Sequence, residues 1–140
     1  FTEACGRLGL SDPVTVHTDY TGEDGARATR RLLSAPDRPT AIVYDNDIMA
    51  VAGLSVAQEM RLDVPADLSI VAWDDSPLSQ VVRPSLTAVT RDIPAGGAHA
   101  TRALLRLIET GETGSLEGPP ASLLPRGSTA PAGKLASPAL

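Results

Sequence analysis

A short apolar segment runs directly into a polar turn and then into a helical stretch, and this pattern occurs twice in the chain. Residues 41–44 precede a turn that contains Asn46, and residues 68–73 precede a turn that begins with Asp74. Apolar runs of this length that alternate with helical stretches of roughly 10–15 residues are typical of parallel strands in βαβ units. The pattern predicts an α/β fold with a Rossmann-like, mainly parallel sheet and flanking helices.

The other elements follow from hydrophobic periodicity and from the residues that start and stop helices. Thr21 followed by Asp24 resembles a capping box, and Pro94 suits the first turn of a helix. The near-continuous apolar run 68–73 is typical of a central strand, in which we expect Trp73 to lie in the core. Periodicity predicts strands over 14–18, 41–44, 87–91 and 121–125, and helices over 1–8, 21–34, 46–60, 76–82 and 94–110.

The size and charge of the chain exclude several classes of protein. A length of 140 residues with 42% hydrophobic residues fits one soluble domain with a core. The net charge is −5 and the basic residues form no run, so the chain by itself is poorly suited to contact nucleic acid phosphates. No segment resembles a signal peptide or a transmembrane span, so we expect a cytoplasmic protein without a membrane partner.

The residues that usually hold metals or nucleotide cofactors are sparse. Cys5 is the single cysteine, so neither a disulfide framework nor a cysteine metal set can form. His17 and His99 are far apart and lack cysteine or carboxylate partners at ligand spacing. No Gly-x-Gly-x-x-Gly follows a strand, and no Gly-x-Ser-x-Gly is present. We expect no cofactor, no metal and no catalytic residues.

The carboxyl ends of neighbouring parallel strands meet at one edge of a sheet, where open α/β folds bind ligands. Asp74 at such an end could accept two hydroxyl hydrogen bonds, or it could cap the turn at residues 76–77, for which Asp75 is the better candidate. Asn46 offers both a donor and an acceptor to a ligand, and Asn is also a good helix N-cap. The two strand ends therefore predict a polar rim suited to a small hydroxylated ligand.

Several short motifs occur in a fixed order along the chain. They include Asn46-Asp-Ile-Met-Ala50, Val64-Pro-Ala-Asp67, Trp73-Asp-Asp75, Pro84-Ser-Leu-Thr87 and Arg126-Gly-Ser-Thr129. In this order and at this spacing they resemble the effector-binding region of LacI/GalR-type (lactose-repressor family) transcriptional regulators, over nearly all of residues 1–131. The resemblance implies the fold of periplasmic sugar-binding proteins, in which two Rossmann-like subdomains enclose a ligand cleft.

The resemblance also implies how the chain is divided. Residues 1–93 match the C-terminal effector-binding subdomain, 94–120 a helix and loop that normally belong to the other subdomain, and 121–130 a returning strand. The composition of residues 131–140, and not the resemblance, predicts a disordered tail. A helix-turn-helix domain, a hinge helix and the first subdomain would then lie upstream. Without its usual partner subdomain, we expect the helix over 94–110 to be displaced, packed on a symmetry mate or domain-swapped.

Four residues match positions that relatives use for the effector. Asp74 and Asn46 match effector contacts, and Tyr20 matches an aromatic ring that stacks on the effector. Arg91 stands where many relatives have Gln, and it could pair with a carboxylate or phosphate of the ligand, or with Asp74. A further effector-binding Arg of the relatives falls before residue 1, so we expect this chain alone to bind its effector weakly or not at all. Relatives dimerise through positions that match Val51, Leu54, Leu78 and Val82.

The resemblance therefore predicts a sensor and not an enzyme. It would be the effector-sensing part of a DNA-binding transcriptional regulator that binds a small metabolite such as a sugar, forms a homodimer, and contacts DNA only through an upstream helix-turn-helix. A periplasmic-type solute-binding protein for sugar transport is the main alternative and would need an upstream signal peptide. A hydrolase or transferase using Asp74 with Asp75 is a third possibility, although adjacent residues on one strand point to opposite sides.

Overall fold

The computed structural model of the protein describes residues 1–112 and 118–131. Its helices and strands agree with the predicted alternation, apart from one strand. Part of the predicted loop 111–120 and most of the predicted tail 131–140 lie outside the described residues. In chain order the elements are α1 (Thr2–Arg7), α2 (Gly22–Leu33), β1 (Ala41–Tyr44), α3 (Asp47–Glu59), β2 (Ser69–Ala72), α4 (Pro77–Val81), β3 (Thr87–Thr90), α5 (Ile93–Thr110) and β4 (Ser122–Leu124).

The four strands form one sheet in the order β1-β2-β3-β4. Strands β1, β2 and β3 run parallel, with Tyr44 opposite Ala72 and Ala72 opposite Ala88, whereas β4 runs antiparallel to β3. Helix α3 forms the crossover from β1 to β2, and α4 forms the crossover from β2 to β3. This arrangement confirms the predicted α/β class with a mainly parallel sheet, and it brings the carboxyl ends of three strands to one edge.

The segment 14–18 is not a strand, and that prediction is wrong. Strand β1 is the edge of the sheet, but among the described residues no backbone hydrogen bond joins this segment to it. Thr18 instead donates its hydroxyl hydrogen to Met49 Sδ at 3.1 Å, and Val14 is exposed. Alternating apolar residues give a strand its two faces but do not supply a hydrogen-bonding partner, which depends on the path of the rest of the chain.

The core lies between the sheet and helices α2 and α3, which pack against each other. The two helices approach closely at Gly25, where an added Cβ would lie 2.8 Å from Met49 Cβ. This approach fixes the start of α3 and therefore the turn at the carboxyl end of β1. The largest completely buried apolar side chains are Leu68, Ile70, Leu86 and Val56.

A buried pair of hydroxyl groups joins β1 to α2. Thr29 Oγ1 donates to the carbonyl oxygen of Gly25 at 2.7 Å. Because a threonine hydroxyl has one hydrogen, Tyr44 Oη must donate to Thr29 Oγ1, also at 2.7 Å. Burial raises the pKa of Tyr44 to about 12, since the phenolate would lose its hydration. Tyr44 therefore stays neutral and keeps its hydroxyl hydrogen for this bond.

Trp73 does not lie in the core, so that prediction is also wrong. Its side chain is 44% exposed, whereas Ile70 and Ala72 are completely buried. Successive residues of a strand point to opposite faces, and the face that Ile70 and Ala72 share is the one packed against α3. Trp73 follows the end of β2 on the other face, so its position relative to the helices, and not its residue type, determines its exposure.

Helix α5 contributes no buried residue to the fold. Asp92 caps it by accepting a hydrogen bond from Ala95 N at 2.8 Å, but Leu104, Leu105 and Ile108 on the helix are exposed. The displacement expected for this helix and the division of the chain after residues 93, 120 and 130 stay predictions. Of the helices that the structure describes, none combines the length and the apolar character that crossing a bilayer requires.

Candidate ligand-binding site

Three of the four candidate ligand contacts follow the carboxyl ends of the parallel strands. Asn46 comes after β1, Asp74 after β2 and Arg91 directly after β3. Because these strands pair side by side in parallel, the three residues lie at the same edge of the sheet. Tyr20, the fourth candidate, is joined to this edge by a hydrogen bond from Asn46 Nδ2 to its carbonyl oxygen at 3.0 Å.

Asp74 and Arg91 form an ion pair at this edge. Arg91 Nη2 donates to Asp74 Oδ1 at 2.9 Å, and the Asp74 and Arg91 side chains are 44% and 45% exposed. A pair this exposed adds at most about 1 kcal/mol to stability, because water screens the charges and ordering two side chains costs entropy. The pairing matches one of the two alternatives for Arg91, and it leaves both groups accessible to a ligand.

Asn46 has a clear structural role at this edge. Its Oδ1 accepts a hydrogen bond from Met49 N at 2.8 Å, which caps α3, while its Nδ2 holds the carbonyl oxygen of Tyr20. Tyr20 has a φ of 66°, in the left-handed region, where a residue with a side chain costs about 1–3 kcal/mol. Its side chain is 58% exposed, so the strained backbone presents an aromatic ring to solvent next to Asn46.

The turn that carries Tyr20 is held by Asp19. Thr21 donates to Asp19 Oδ1 through its hydroxyl group at 2.6 Å and through its backbone N–H at 3.0 Å. These bonds favour the charged carboxylate and hold the pKa of Asp19 below its ordinary value. Thr21 Oγ1 also accepts from Asp24 N, which confirms the predicted cap of α2. The residues on both sides of Tyr20 are therefore fixed by local hydrogen bonds.

Two contacts that the sequence did not predict hold the turns after β1 and β2. Ser76 Oγ donates to Asp47 Oδ2 and also caps α4, so the prediction that Asp75 is the cap is wrong. Asp75 instead accepts from Arg126 Nη2 at 2.7 Å, and the two side chains are only 15% and 16% exposed. The motif at residues 126–129 was a signal that Arg126 has a role, but its partner lies 51 positions away in the sequence.

The segment 126–129 connects β2 to β3. Ser128 Oγ accepts a hydrogen bond from Thr87 N at 2.8 Å and donates to the carbonyl oxygen of Ile70 at 2.6 Å. Ile70 N in turn donates to the carbonyl oxygen of Ser128 at 2.8 Å. These buried bonds hold β2 and β3 together. Asp74 follows the end of β2 and Arg91 follows the end of β3.

The predicted dimer residues lie on α3 and at α4 but differ in exposure. Leu54 is 4% exposed and belongs to the core, Val51 and Val82 are partly buried, and Leu78 is exposed. An open groove of about 230 Å³ is lined by Val51, Leu54, Ser55, Gln58, Val82 and Arg83. A second groove, of about 320 Å³ beside α2, is lined by Val16, His17, Asp24, Arg27, Ala28 and Arg31.

None of the four ligand candidates lines either groove. The candidate site therefore lies outside both grooves. Over residues 1–112 and 118–131, no three His, Cys, Asp or Glu side chains cluster in a way that could hold a metal ion.

A parallel sheet with charged and amide side chains at its carboxyl edge is the architecture of a small-molecule-binding, Rossmann-like domain. The chain belongs to the family of periplasmic binding protein-like domains, which matches residues 1–129. This match confirms the fold that the resemblance to LacI/GalR-type regulators implied.

Transcriptional regulators of this type are among the proteins most similar to the chain. The helix-turn-helix-type transcriptional regulator MalR of Streptomyces coelicolor is 39% identical over 107 residues, which are 73% of this chain and 30% of that protein. The chain spans about a third of the length of the curated relatives that it matches.

Solved structures agree with this relationship. A LacI family transcriptional regulator from Bifidobacterium animalis subsp. lactis superposes with a TM-score of 0.87 and 47% sequence identity, over 95% of this chain and 49% of that chain. The transcriptional regulator CelR in its cellobiose complex superposes with a TM-score of 0.78 and 28% identity, over 90% of this chain and 39% of that chain. The resemblance to LacI-type regulators is therefore confirmed.

Proposed function

We propose that this chain is the effector-sensing part of a LacI-type transcriptional regulator that binds a small metabolite, a sugar or a related compound. The observation that carries the proposal is the half-exposed Asp74–Arg91 pair at the carboxyl edge of the sheet. The proteins similar to this chain are transcriptional regulators, which supports the same function. The complex of CelR with cellobiose supports a sugar as the ligand class. In this proposal the intact protein is cytoplasmic, forms a homodimer and contacts DNA through an upstream helix-turn-helix.

A ligand at this open edge needs a second surface to enclose it. In the proposed regulator that surface is the other subdomain, and a ligand bound between the two changes their relative angle by hinge motion. Asp74 and Arg91 contact the hydroxyl groups of the ligand, while the exposed ring of Tyr20 offers an apolar surface to a sugar face. The ligand shifts the equilibrium only by its difference in affinity for the two states, typically ~1–3 kcal/mol.

The carboxylates at this edge support binding rather than catalysis. Asp74 pairs with Arg91 and Asp75 with Arg126, so the two adjacent carboxylates face different partners and do not form an acid–base pair. A turnover that Asp74→Ala abolished would contradict this interpretation. The transport alternative shares the fold, and the upstream sequence distinguishes the two, because a regulator requires a helix-turn-helix and a transport protein requires a secretion signal.

Calorimetric titration of the intact regulator with neutral sugars, beginning with cellobiose, and with nucleosides tests the proposal. We expect one compound to bind saturably and Asp74→Ala to weaken its affinity about 10- to 100-fold, because a hydrogen bond to a charged group contributes ~1.5–3 kcal/mol. Asp37→Ala is the matched control, since Asp37 is an exposed carboxylate in the loop between α2 and β1. The proposed site is wrong if no compound binds, or if Asp74→Ala binds as tightly as the unaltered protein.

We propose that the homodimer forms through the surface of α3 and α4. Leu54→Asp is not a clean test, because Leu54 is buried and its replacement would disturb the core. Val81 on α4 is 67% exposed, so Val81→Asp places a charge on this surface without changing the core. The matched control is Val14→Asp, because Val14 is exposed and lies outside α3 and α4. We expect light scattering of the intact regulator to show dimers for the unaltered protein and for the control, and monomers for Val81→Asp. A dimeric Val81→Asp variant would remove α4 from the interface.

A further inference from the structure

Several polar side chains at the carboxyl edge already bond to other protein atoms. Ser76 Oγ donates to Asp47 and accepts from two backbone N–H groups of α4. Asn46 donates to the carbonyl oxygen of Tyr20 and accepts from a backbone N–H group of α3. These side chains hold the turns in place, and a ligand would have to compete with the protein for most of their hydrogen-bonding groups.

The Asp74–Arg91 pair differs from these side chains. A single hydrogen bond, from Nη2 to Oδ1, joins the two residues, and both side chains are about half exposed. Among the described residues, Asp74 Oδ2 and the remaining guanidinium N–H groups of Arg91 have no hydrogen-bonding partner. The pair therefore presents an acceptor and several donors side by side, with no net charge.

We propose that this pair makes the site selective for uncharged, polyhydroxylated ligands, with Arg91 as the specificity-determining residue. The inference rests on the proposed function, because it concerns the ligand of the same site. A hydroxyl group both donates and accepts, so two neighbouring hydroxyl groups of a sugar can bond to Asp74 Oδ2 and to Arg91 together. Neither interaction requires the ion pair to break.

An anionic ligand meets two obstacles at this edge. The positive charge of Arg91 is already balanced by Asp74, and the anion brings a second negative charge next to the Asp74 carboxylate. The surroundings are also acidic, because four carboxylates follow β1 and β2 and two guanidinium groups contact them. The carboxylates belong to Asp45, Asp47, Asp74 and Asp75, and the guanidinium groups to Arg91 and Arg126.

Two substitutions change the charge of the pair in opposite directions. Asp74→Asn removes the counterion of Arg91 and leaves a positive charge, which favours an anionic ligand. Arg91→Gln keeps a hydrogen-bond donor but leaves the negative charge of Asp74 unpaired, which favours a cationic ligand. A variant that merely lost its fold would weaken all ligands equally, so opposite changes in preference report on the pair itself.

The test is calorimetric titration of the intact regulator and both variants with matched probes: D-glucose, D-glucuronate and D-glucosamine, the corresponding galactose series, and adenosine with adenosine 5′-monophosphate. We expect the unaltered protein to bind the neutral member of one series at least about 10-fold more tightly than its anionic counterpart. We expect Asp74→Asn to lower the ratio of neutral-probe to anionic-probe affinity by about 10-fold, which can reverse the preference. We expect Arg91→Gln to raise this ratio and also to raise the affinity for the amino sugar relative to the neutral sugar.

The possible outcomes separate this inference from the function on which it rests. The charge selectivity is wrong if the unaltered protein prefers an anionic probe. It is also wrong if both variants still bind but neither changes the ratio of neutral-probe to anionic-probe affinity. Either result leaves the sensor proposal intact. Absence of binding to every probe, and to the neutral panel that tests the proposed function, overturns both.

Discussion

Replacing Gly53 with alanine is expected to lower the free energy of unfolding by about 1–3 kcal/mol. An added Cβ at this position would lie 2.1 Å from Tyr44 Oη and 2.5 Å from Tyr44 Cζ, which is far inside van der Waals contact. The Tyr44 ring is buried and its hydroxyl group is bonded to Thr29, so the ring cannot move without losing this bond. Overpacking costs about 1–3 kcal/mol and the lost hydrogen bond about 1 kcal/mol, against a gain of up to ~1 kcal/mol in helix propensity.

Urea denaturation measures this effect, with Gly97→Ala as the matched control. Gly97 also lies within a helix, but among the described residues no atom beyond its chain neighbours and its own helix backbone is within 4 Å of a Cβ added there. We expect the control to leave stability unchanged or to raise it slightly. Adding Tyr44→Phe to Gly53→Ala removes the closest atom, so the double variant should recover part of the loss. Equal stability of Gly53→Ala and Gly97→Ala would contradict the close packing of Tyr44 against α3.

Replacing Arg126 with methionine is expected to lower the free energy of unfolding by about 3–5 kcal/mol, because it leaves a largely buried charge without its partner. Arg126 Nη2 donates to Asp75 Oδ1 at 2.7 Å and Nη1 donates to the carbonyl oxygen of Leu86 at 2.9 Å. Without the guanidinium group, Asp75 retains among the described residues only a contact from Gln80 Nε2 at 3.4 Å, which is too long to offset its desolvation.

An exposed ion pair provides the control for this prediction. Arg30 Nη2 donates to Glu59 Oε2 at 2.6 Å, but both side chains are more than half exposed. We expect Arg30→Met to change stability by less than about 1 kcal/mol in the same urea experiment. Adding Asp75→Asn to Arg126→Met removes the unpaired charge and should restore much of the stability. The argument from burial fails if the two arginine substitutions have equal effects.

The sequence was most informative where a structure depends on neighbouring residues. Asn46 and Thr21 cap their helices as their residue types indicate, since each cap bonds a backbone group three positions away. The sequence was misleading where burial or pairing depends on distant elements. Trp73 is apolar but lies on the less covered face of the sheet, and the segment 14–18 alternates like a strand but has no partner among the described residues.

The sequence by itself determined the α/β class of the protein and the edge of the sheet at which Asn46, Asp74 and Arg91 lie. This was possible because the periodicity of short segments predicts strands and helices, and because parallel strands place their carboxyl ends at the same edge of the sheet. Only the tertiary structure decided which charges meet. Arg91 pairs with Asp74 across 17 positions and Arg126 pairs with Asp75 across 51 positions, because contacts between residues far apart in the sequence depend on the path of the chain through space.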